Sequence, residues 1–322
     1  MPPSAIRNVA HEITVDAPAA RVYQLIADVS DWPRVFGPTV HVEYVEKADA
    51  AERIRIWATA NGTAKSWVSR REHDPAALRI GFRQEKSQAP VGGMGGVWMV
   101  QALSDRACRV RLLHDYFAAT DEPADLEWID KAVDRNSGAE LAALKSAAEA
   151  TGPDELLSFA DTVEVDGSAE DVYDFLNEAQ LWKERLPHVS RVLLDEETPG
   201  LQVLEMDTQT KDGSVHTTRS VRVCQPHRRI VYKQVVLPAL MSLHTGYWLI
   251  EERAGQPVAV TSQHTVRIAT SRIADVLGAD ADPPAARTFV RTALSGNSMA
   301  TLRQAKAYAE RARATRTARA GA

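Results

Sequence analysis

Apolar and polar residues alternate with a period of two from residue 10 to residue 16 of this 322-residue chain, which predicts a strand with one covered face. Asp16-Ala17-Pro18 follows, and an acidic N-cap with a proline in the first turn predicts a helix start, with Val22, Leu25 and Ile26 as its buried stripe. Ser30-Asp31-Trp32-Pro33 breaks that helix, and a second short helix or turn runs toward Phe36. From about 40 to 117 the period of two returns in roughly six segments, including 53–57, 65–72, 78–84, 96–101 and 108–117. Asn61-Gly62, Asp74-Pro75 and Gly92-Gly93 read as the turns between them. Leu126, Ile129, Val133, Ser137, Leu141, Leu144 and Ala148 then fall at spacings of three and four, the stripe of a long amphipathic helix. These elements make an α+β unit in which a curved antiparallel sheet wraps a long C-terminal helix. An internal cavity is expected between them, since the small polar side chains on the inner faces do not fill it.

The pattern is written twice. Val15-Asp16, Val22-Tyr23 and Trp32 return as Val165-Asp166, Val172-Tyr173 and Trp182, 150 positions later, and His114 and Gly96-Val-Trp98 return as His264 and Gly246-Tyr-Trp248. Asn136-Ser137, Leu141 and Lys145 recur as Asn297-Ser298, Leu302 and Lys306 after a short insertion, and Val290 and Leu294 extend that stripe. A period this long is a domain rather than a solenoid unit. Two tandem domains are expected, residues 1–150 and 151–322, with 151–160 as linker and the Arg/Ala-rich tail from Arg311 extending the last helix.

Bulk composition narrows the function. A net charge of −5 and a pI near 6.0 argue against a partner held by phosphate charge, so no nucleic acid is expected. There is no apolar run of membrane-spanning length and no secretion signal, and Cys108 and Cys224 occupy non-equivalent places in the two copies. A reducing, cytoplasmic location without membrane association follows. Phosphate loops, metal-spaced histidines and nucleophile elbows are all missing, so the expected chemistry uses no cofactor and no metal, only oriented substrate and moving protons.

Strand parity nominates the inner wall. Trp67, Ser69 and Arg71 share one face, and the second copy offers Thr218, Ser220 and Arg222. Arg71 competes with Val68 for the interior; the indole beside it favours Arg71. Val110, Leu112, His114 and Tyr116 share a face of the last strand, matched by Val260, Ser262, His264 and Val266. A single inward histidine is more often a hydrogen-bonded core residue than a catalyst, and Tyr116 suits either proton donation or a wall. Trp57 alternates outward with Arg53 and Arg55, whereas the Gly92–Gly96 run reads as a flexible loop at the pocket lip. Arg53, Arg55, Arg70, Arg79 and Arg83 fall on outward positions, as a solvated face or a docking patch for an acidic partner.

Val15-Asp-Ala-Pro18 with Val22-Tyr23, Asp31-Trp32-Pro33 with Phe36, and above all Ser66-Trp67-Val68-Ser69-Arg70-Arg71 resemble the didomain polyketide aromatase/cyclases of the START-like, helix-grip superfamily. The resemblance spans nearly all of both repeats. It implies two tandem helix-grip domains and an enzyme of aromatic (type II) polyketide biosynthesis that promotes first-ring cyclisation and dehydrative aromatisation of a ketoreduced poly-β-ketone. The substrate would arrive on an acyl carrier protein, with other polyketide synthase components as further partners. Carried over, Arg71 holds a carbonyl or enolate oxygen with help from Ser69, while Trp32, Phe36, Trp67, Trp98 and Met94 shape the bound chain together with Ser137. Where single-domain relatives place a tyrosine and an asparagine, this chain has Thr39 and Glu140, which leaves Tyr116, His114 and Thr39 as substitutes for the proton donor. The first repeat, with the fuller aromatic lining, is the expected active one, and Arg222 and Ser220 are its counterparts in the second. The competing reading is a protein that binds or transfers a hydrophobic ligand without changing it, which has no need of a buried guanidinium.

Overall fold

The computed structural model describes residues 6–60, 63–150, 156–209, 213 and 215–320. The chain divides into two compact units, residues 1–152 and 153–322. The first begins with β1 (Arg7–Val15), α1 (Ala19–Ala27) and α2 (Trp32–Val35). A meander follows through β2 (Thr39–Lys47), β3 (Ala51–Ala60), β4 (Thr63–Asp74), β5 (Arg79–Gln84), β6 (Val91–Ser104) and β7 (Ala107–Ala118), and α3 (Pro123–Glu149) closes it. The seven strands lie in the order β1-β7-β6-β5-β4-β3-β2 with every pair antiparallel. Register shifts between β2 and β3 and between β6 and β7 add local twist and bend the sheet.

The second unit repeats this with β8 (Leu156–Val165), α4 (Ala169–Asn177), α5 (Trp182–Arg185), β9 (Val189–Thr198), β10 (Leu201–Gln209), β11 (Val215–Gln225), β12 (Arg229–Val236), β13 (Met241–Glu251) and β14 (Val258–Ile268). A short α6 (Ile273–Leu277) precedes the closing α7 (Pro283–Ala320), which takes in the tail from Arg311. Of the segment read as linker, residues 151–155 lie outside the described residues, and the rest is already β8.

The closing helix sits where its stripe requires. Ile129, Val133, Ser137, Leu141, Leu144 and Ala148 are all buried, as are Val290, Ser298, Leu302 and Ala305 in the second unit. Each large apolar member contributes about 1.5–3 kcal/mol by leaving water. The repeated lysines tie the helix to the first strand: Lys145 donates to the Thr14 carbonyl at 2.8 Å, while Glu149 accepts from the Asp16 N–H at 2.6 Å. Lys306 and Glu310 make the same two contacts with Glu164 and Asp166.

Three local expectations change. The N-cap of α1 is Pro18 with no side-chain cap, and Asp16, two residues earlier, gives its backbone N–H to Glu149 of α3; in the second unit Ser168 does cap α4, accepting from the Asp171 N–H at 3.1 Å. Gly92–Gly96 is not a loop but the first half of β6, and the chain turns earlier, at residues 85–90. Glycine is needed there by packing: a Cβ on Gly93 would lie 2.4 Å from the Phe117 ring, and one on Gly96 would lie 2.0 Å from the Leu113 carbonyl oxygen. Trp57 has outward parity yet is buried, stacked on His41 at 5.3 Å. Asn61-Gly62 lies outside the described residues.

Candidate active site

The apolar core of the first unit, around Val22, Ile26, Ile80, Val110, Leu112 and Leu144, fills the end of the sheet under α1. Toward the other end the sheet and α3 part around a cavity of about 330 Å³. Trp32, Phe36, Thr39, Trp67, Ser69, Arg71, Met94, Trp98, His114, Ser137 and Glu140 all line it. Tyr116 does not. It is buried, but its hydroxyl donates to Asp130 on α3 at 2.6 Å and its ring packs against Ile129 and Val133, which line the cavity in its place. Phe82, Gln84, Asn136 and Trp128 also line the wall, although the sequence reading gave them no role there.

Arg71 is 2% exposed, so the solvent-facing alternative is excluded. Its register partner across β3 is Glu52, and Nη1 donates to that carboxylate at 2.5 Å. The same nitrogen donates to the Ala27 carbonyl at 3.2 Å, Nη2 donates to the Ile26 carbonyl at 2.6 Å, and the plane lies 5.0 Å from the Trp32 ring. Three of its five N–H groups thus serve the fold, pinning the end of α1 to the sheet. Burial depresses the guanidinium pKa, while Glu52 opposes the loss of its proton. Ser69 points its hydroxyl at the Arg83 carbonyl, 3.3 Å away.

Two groups in the cavity suit proton transfer. Burial pushes the Glu140 carboxyl up to about 7, so it exchanges its proton near neutral pH. Burial pulls His114 down to about 4, which leaves a neutral imidazole with Nδ1 3.5 Å from the Ser137 hydroxyl. Sequence reading placed Glu140 among the contact residues; its titration arises from desolvation, which no spacing rule displays.

The second unit has its own cavity, about 470 Å³, lined by Trp182, Thr218, Ser220, Arg222, Trp248, His264 and Ser298 among others. Arg222 repeats the Arg71 contact to the preceding helix, donating to the Leu176 carbonyl at 2.5 Å, and lies 5.2 Å from the Trp182 ring.

Comparison with known proteins places this geometry. The family described as polyketide cyclase / dehydrase and lipid transport matches residues 7–149 and again 157–310. The chain belongs to the polyketide cyclase/dehydrase family. It is 52% identical over 297 residues to the granaticin polyketide synthase bifunctional cyclase/dehydratase of Streptomyces virginiae, covering 91% of this chain and 97% of that protein. It is 48% identical to the actinorhodin polyketide synthase bifunctional cyclase/dehydratase of Streptomyces coelicolor, with 94% and 96% covered. The crystal structure of the di-domain ARO/CYC BexL from the BE-7585A biosynthetic pathway superposes with a TM-score of 0.86 at 59% identity, covering 94% of this chain and 99% of that one. StfQ, the di-domain ARO/CYC of the steffimycin pathway, gives 0.81 at 37%, with 98% and 100% covered. The fold is therefore the tandem helix-grip arrangement, and this member of the polyketide cyclase/dehydrase family is an enzyme of cyclisation and dehydration. A carrier that leaves its ligand unchanged is not favoured.

Proposed function

We propose that the first cavity receives a ketoreduced poly-β-ketone tethered to an acyl carrier protein and closes its first ring, the step that leads to dehydrative aromatisation. The observation that carries the reading is a carboxyl group, Glu140, held near pKa 7 in the wall of an aromatic cavity. Its carboxylate takes a proton from a methylene between two carbonyls. The resulting carbanion attacks a carbonyl carbon, a C–C bond forms, and Glu140 returns the proton to the new alkoxide oxygen. Arg71, through the N–H groups it does not spend on Glu52, Ala27 and Ile26, holds the enolate oxygen near Ser69. His114 with Ser137, and Thr39, offer neutral hydrogen bonds to further carbonyls. Trp32, Phe36, Trp67, Met94 and Trp98 fold the chain so that one pair of carbons meets.

For the acidic carrier, the outward arginines divide. Arg53 is bound by Glu46 and Glu85, and Arg83 by Asp115, whereas Arg55, Arg70 and Arg79 are exposed and form the part of the patch free to dock. The test supplies the ketoreduced, carrier-bound polyketide to the wild type and to Glu140→Gln. Loss of first-ring closure by about 100-fold in the variant supports the assignment. Equal product from both removes Glu140 from the chemistry, and no closure by the wild type removes the substrate class.

A further inference from the structure

The two cavities are built on the same row of residues, and the substitutions between them run in one direction. In the first unit the row across five strands is Glu52, Arg71, Phe82, Gly96 and His114, each opposite the next. In the second it is Gln202, Arg222, Tyr232, Gly246 and His264. Directly opposed residues share a face, so these side chains line up on the inner wall. The second unit has exchanged a carboxylate for an amide and a benzyl ring for a phenol. One further exchange lies two residues before the glycine, on the same face, where Met94 becomes His244.

These exchanges remove the carboxylate that pairs directly with the arginine, leaving Glu196 as the acid that acts on it through space, and create a proton relay. Arg222 is 2% exposed and Nη1 has no hydrogen-bond partner among the described residues, while Gln202 spends its amide N–H groups on Asn177 and Glu196. A buried guanidinium in that condition favours an anionic or strongly polarised oxygen in the cavity it lines. Beside it, the Tyr232 hydroxyl lies 2.9 Å from His264 Nδ1, and His244 Nε2 lies 3.0 Å from the same nitrogen. Ser262 Oγ is 3.2 Å from His264 Nε2. The Gln234 carbonyl oxygen accepts from His244 Nδ1 at 2.9 Å, which leaves the His244 Nε2 lone pair turned toward the cluster. Gly246 makes the arrangement possible, since a Cβ there would stand 2.5 Å from the Tyr232 hydroxyl.

We propose that the second cavity is a catalytic site of its own, which binds a cyclic β-hydroxyketone through Arg222 and eliminates water from it by way of His244, His264 and Tyr232. The imidazole takes the proton from the carbon α to the ketone, and the C–H electrons become an enolate whose oxygen Arg222 holds. The enolate then re-forms the ketone as the C–O bond at the β carbon breaks, leaving a C=C bond. The departing hydroxide takes a proton from Tyr232 and leaves as water, and the proton held by the imidazole pair passes back to the phenolate. Nothing is oxidised or reduced, and the relay ends as it began. Burial holds His244 at about 3 and His264 at about 4, so both rings are neutral acceptors before substrate binds.

The substrate class rests on the ring closure proposed above; the site itself rests on the row. Tyr232→Phe and His244→Met import the residues of the other unit, so the fold has a precedent for each. With the intact chain and the ketoreduced carrier-bound polyketide, both variants are expected to slow dehydration by about 100-fold and to accumulate a ring-closed product heavier than the aromatised one by a water, with unchanged thermal unfolding. Aromatised product at the wild-type rate from both variants overturns the proposal. A second measurement does not depend on the polyketide: 1,3-cyclohexanedione, a stable cyclic enolate at neutral pH, is titrated into the intact protein while the imidazole resonances of His244 and His264 are followed. Saturable shifts in the wild type, weakened at least about tenfold in a folded Arg222→Gln, support the site, and their absence overturns it. If the wild type leaves the polyketide unreacted, the ring-closure reading falls, and this titration still decides the site.

Discussion

Replacing Glu140 by glutamine should make the protein more stable and less active at once, and the gain should depend on pH in a defined sense. Burial raises the Glu140 carboxyl from 4.5 to about 7. A carboxyl whose folded-state pKa lies above its unfolded value binds its proton more tightly in the native state, so folding is opposed as pH rises through that window. Below about pH 4.5 both states are protonated and the penalty vanishes; above about pH 7 it is fully present. The shift corresponds to an upper bound of about 3 kcal/mol at pH 8 and to under about 0.5 kcal/mol at pH 4.5. Glu140 lines the cavity and is only half-buried, so solvent screening brings the real figure below that bound. Glutamine keeps the shape and resembles the neutral acid, so the variant removes the penalty. Urea unfolding of the intact chain, followed by tryptophan emission, reads mainly the first unit, since Trp32, Trp57, Trp67, Trp98 and Trp128 lie there and only Trp182 and Trp248 lie in the second. A gain at pH 8 that disappears at pH 4.5, with ring closure reduced about 100-fold, is the expected outcome. A variant less stable at pH 8, or a gain of equal size at both pH values, would refute the reasoning.

Arg71→Ala takes from the buried Glu52 carboxylate its guanidinium partner and leaves it, among the described residues, only His73, whose Nε2 lies 3.2 Å away, so it should cost about 3 kcal/mol in denaturant unfolding, more than Arg222→Ala, whose register neighbour is the neutral Gln202. Gly96→Ala and Gly246→Ala set a Cβ 2.0 Å from the Leu113 carbonyl oxygen and 2.2 Å from that of Gln263, so each should lower stability by about 1–3 kcal/mol, seen as a lower melting temperature. Trp128 lines the first cavity yet is 44% exposed, which places it where the cavity meets solvent; Trp128→Ala should raise KM severalfold in steady-state kinetics while leaving the unfolding midpoint within about 0.5 kcal/mol.

The repeat, the strand periods and the stripe from Ile129 to Ala148 were legible because each is a local pattern with one physical meaning. Gly92–Gly96 was misread for the opposite reason. A glycine run reads as a loop until the Phe82 and Phe117 rings that occupy the missing side-chain space are placed beside it. Parity put Arg71 on the inner face, but its partner Glu52 lies 19 residues away on the neighbouring strand, and only register joins them. Tyr116 has the right parity but does not reach the hollow, whose wall is made by its neighbours Met94, Ile129 and Val133, since parity fixes a face and not what covers it. The relay of the second unit had a signal in the sequence: aligning the copies column by column sets Tyr232 against Phe82, His244 against Met94 and Gln202 against Glu52. Attention to what the repeats share hid the positions at which they differ.

Mixing is the most direct measurement of the division of labour between the cavities. Glu140→Gln keeps the second cavity intact and Tyr232→Phe keeps the first, so the two proteins combined in one reaction with the ketoreduced carrier-bound polyketide should restore aromatised product that neither yields alone. A mixture that yields no more than the sum of its separate parts would contradict the account.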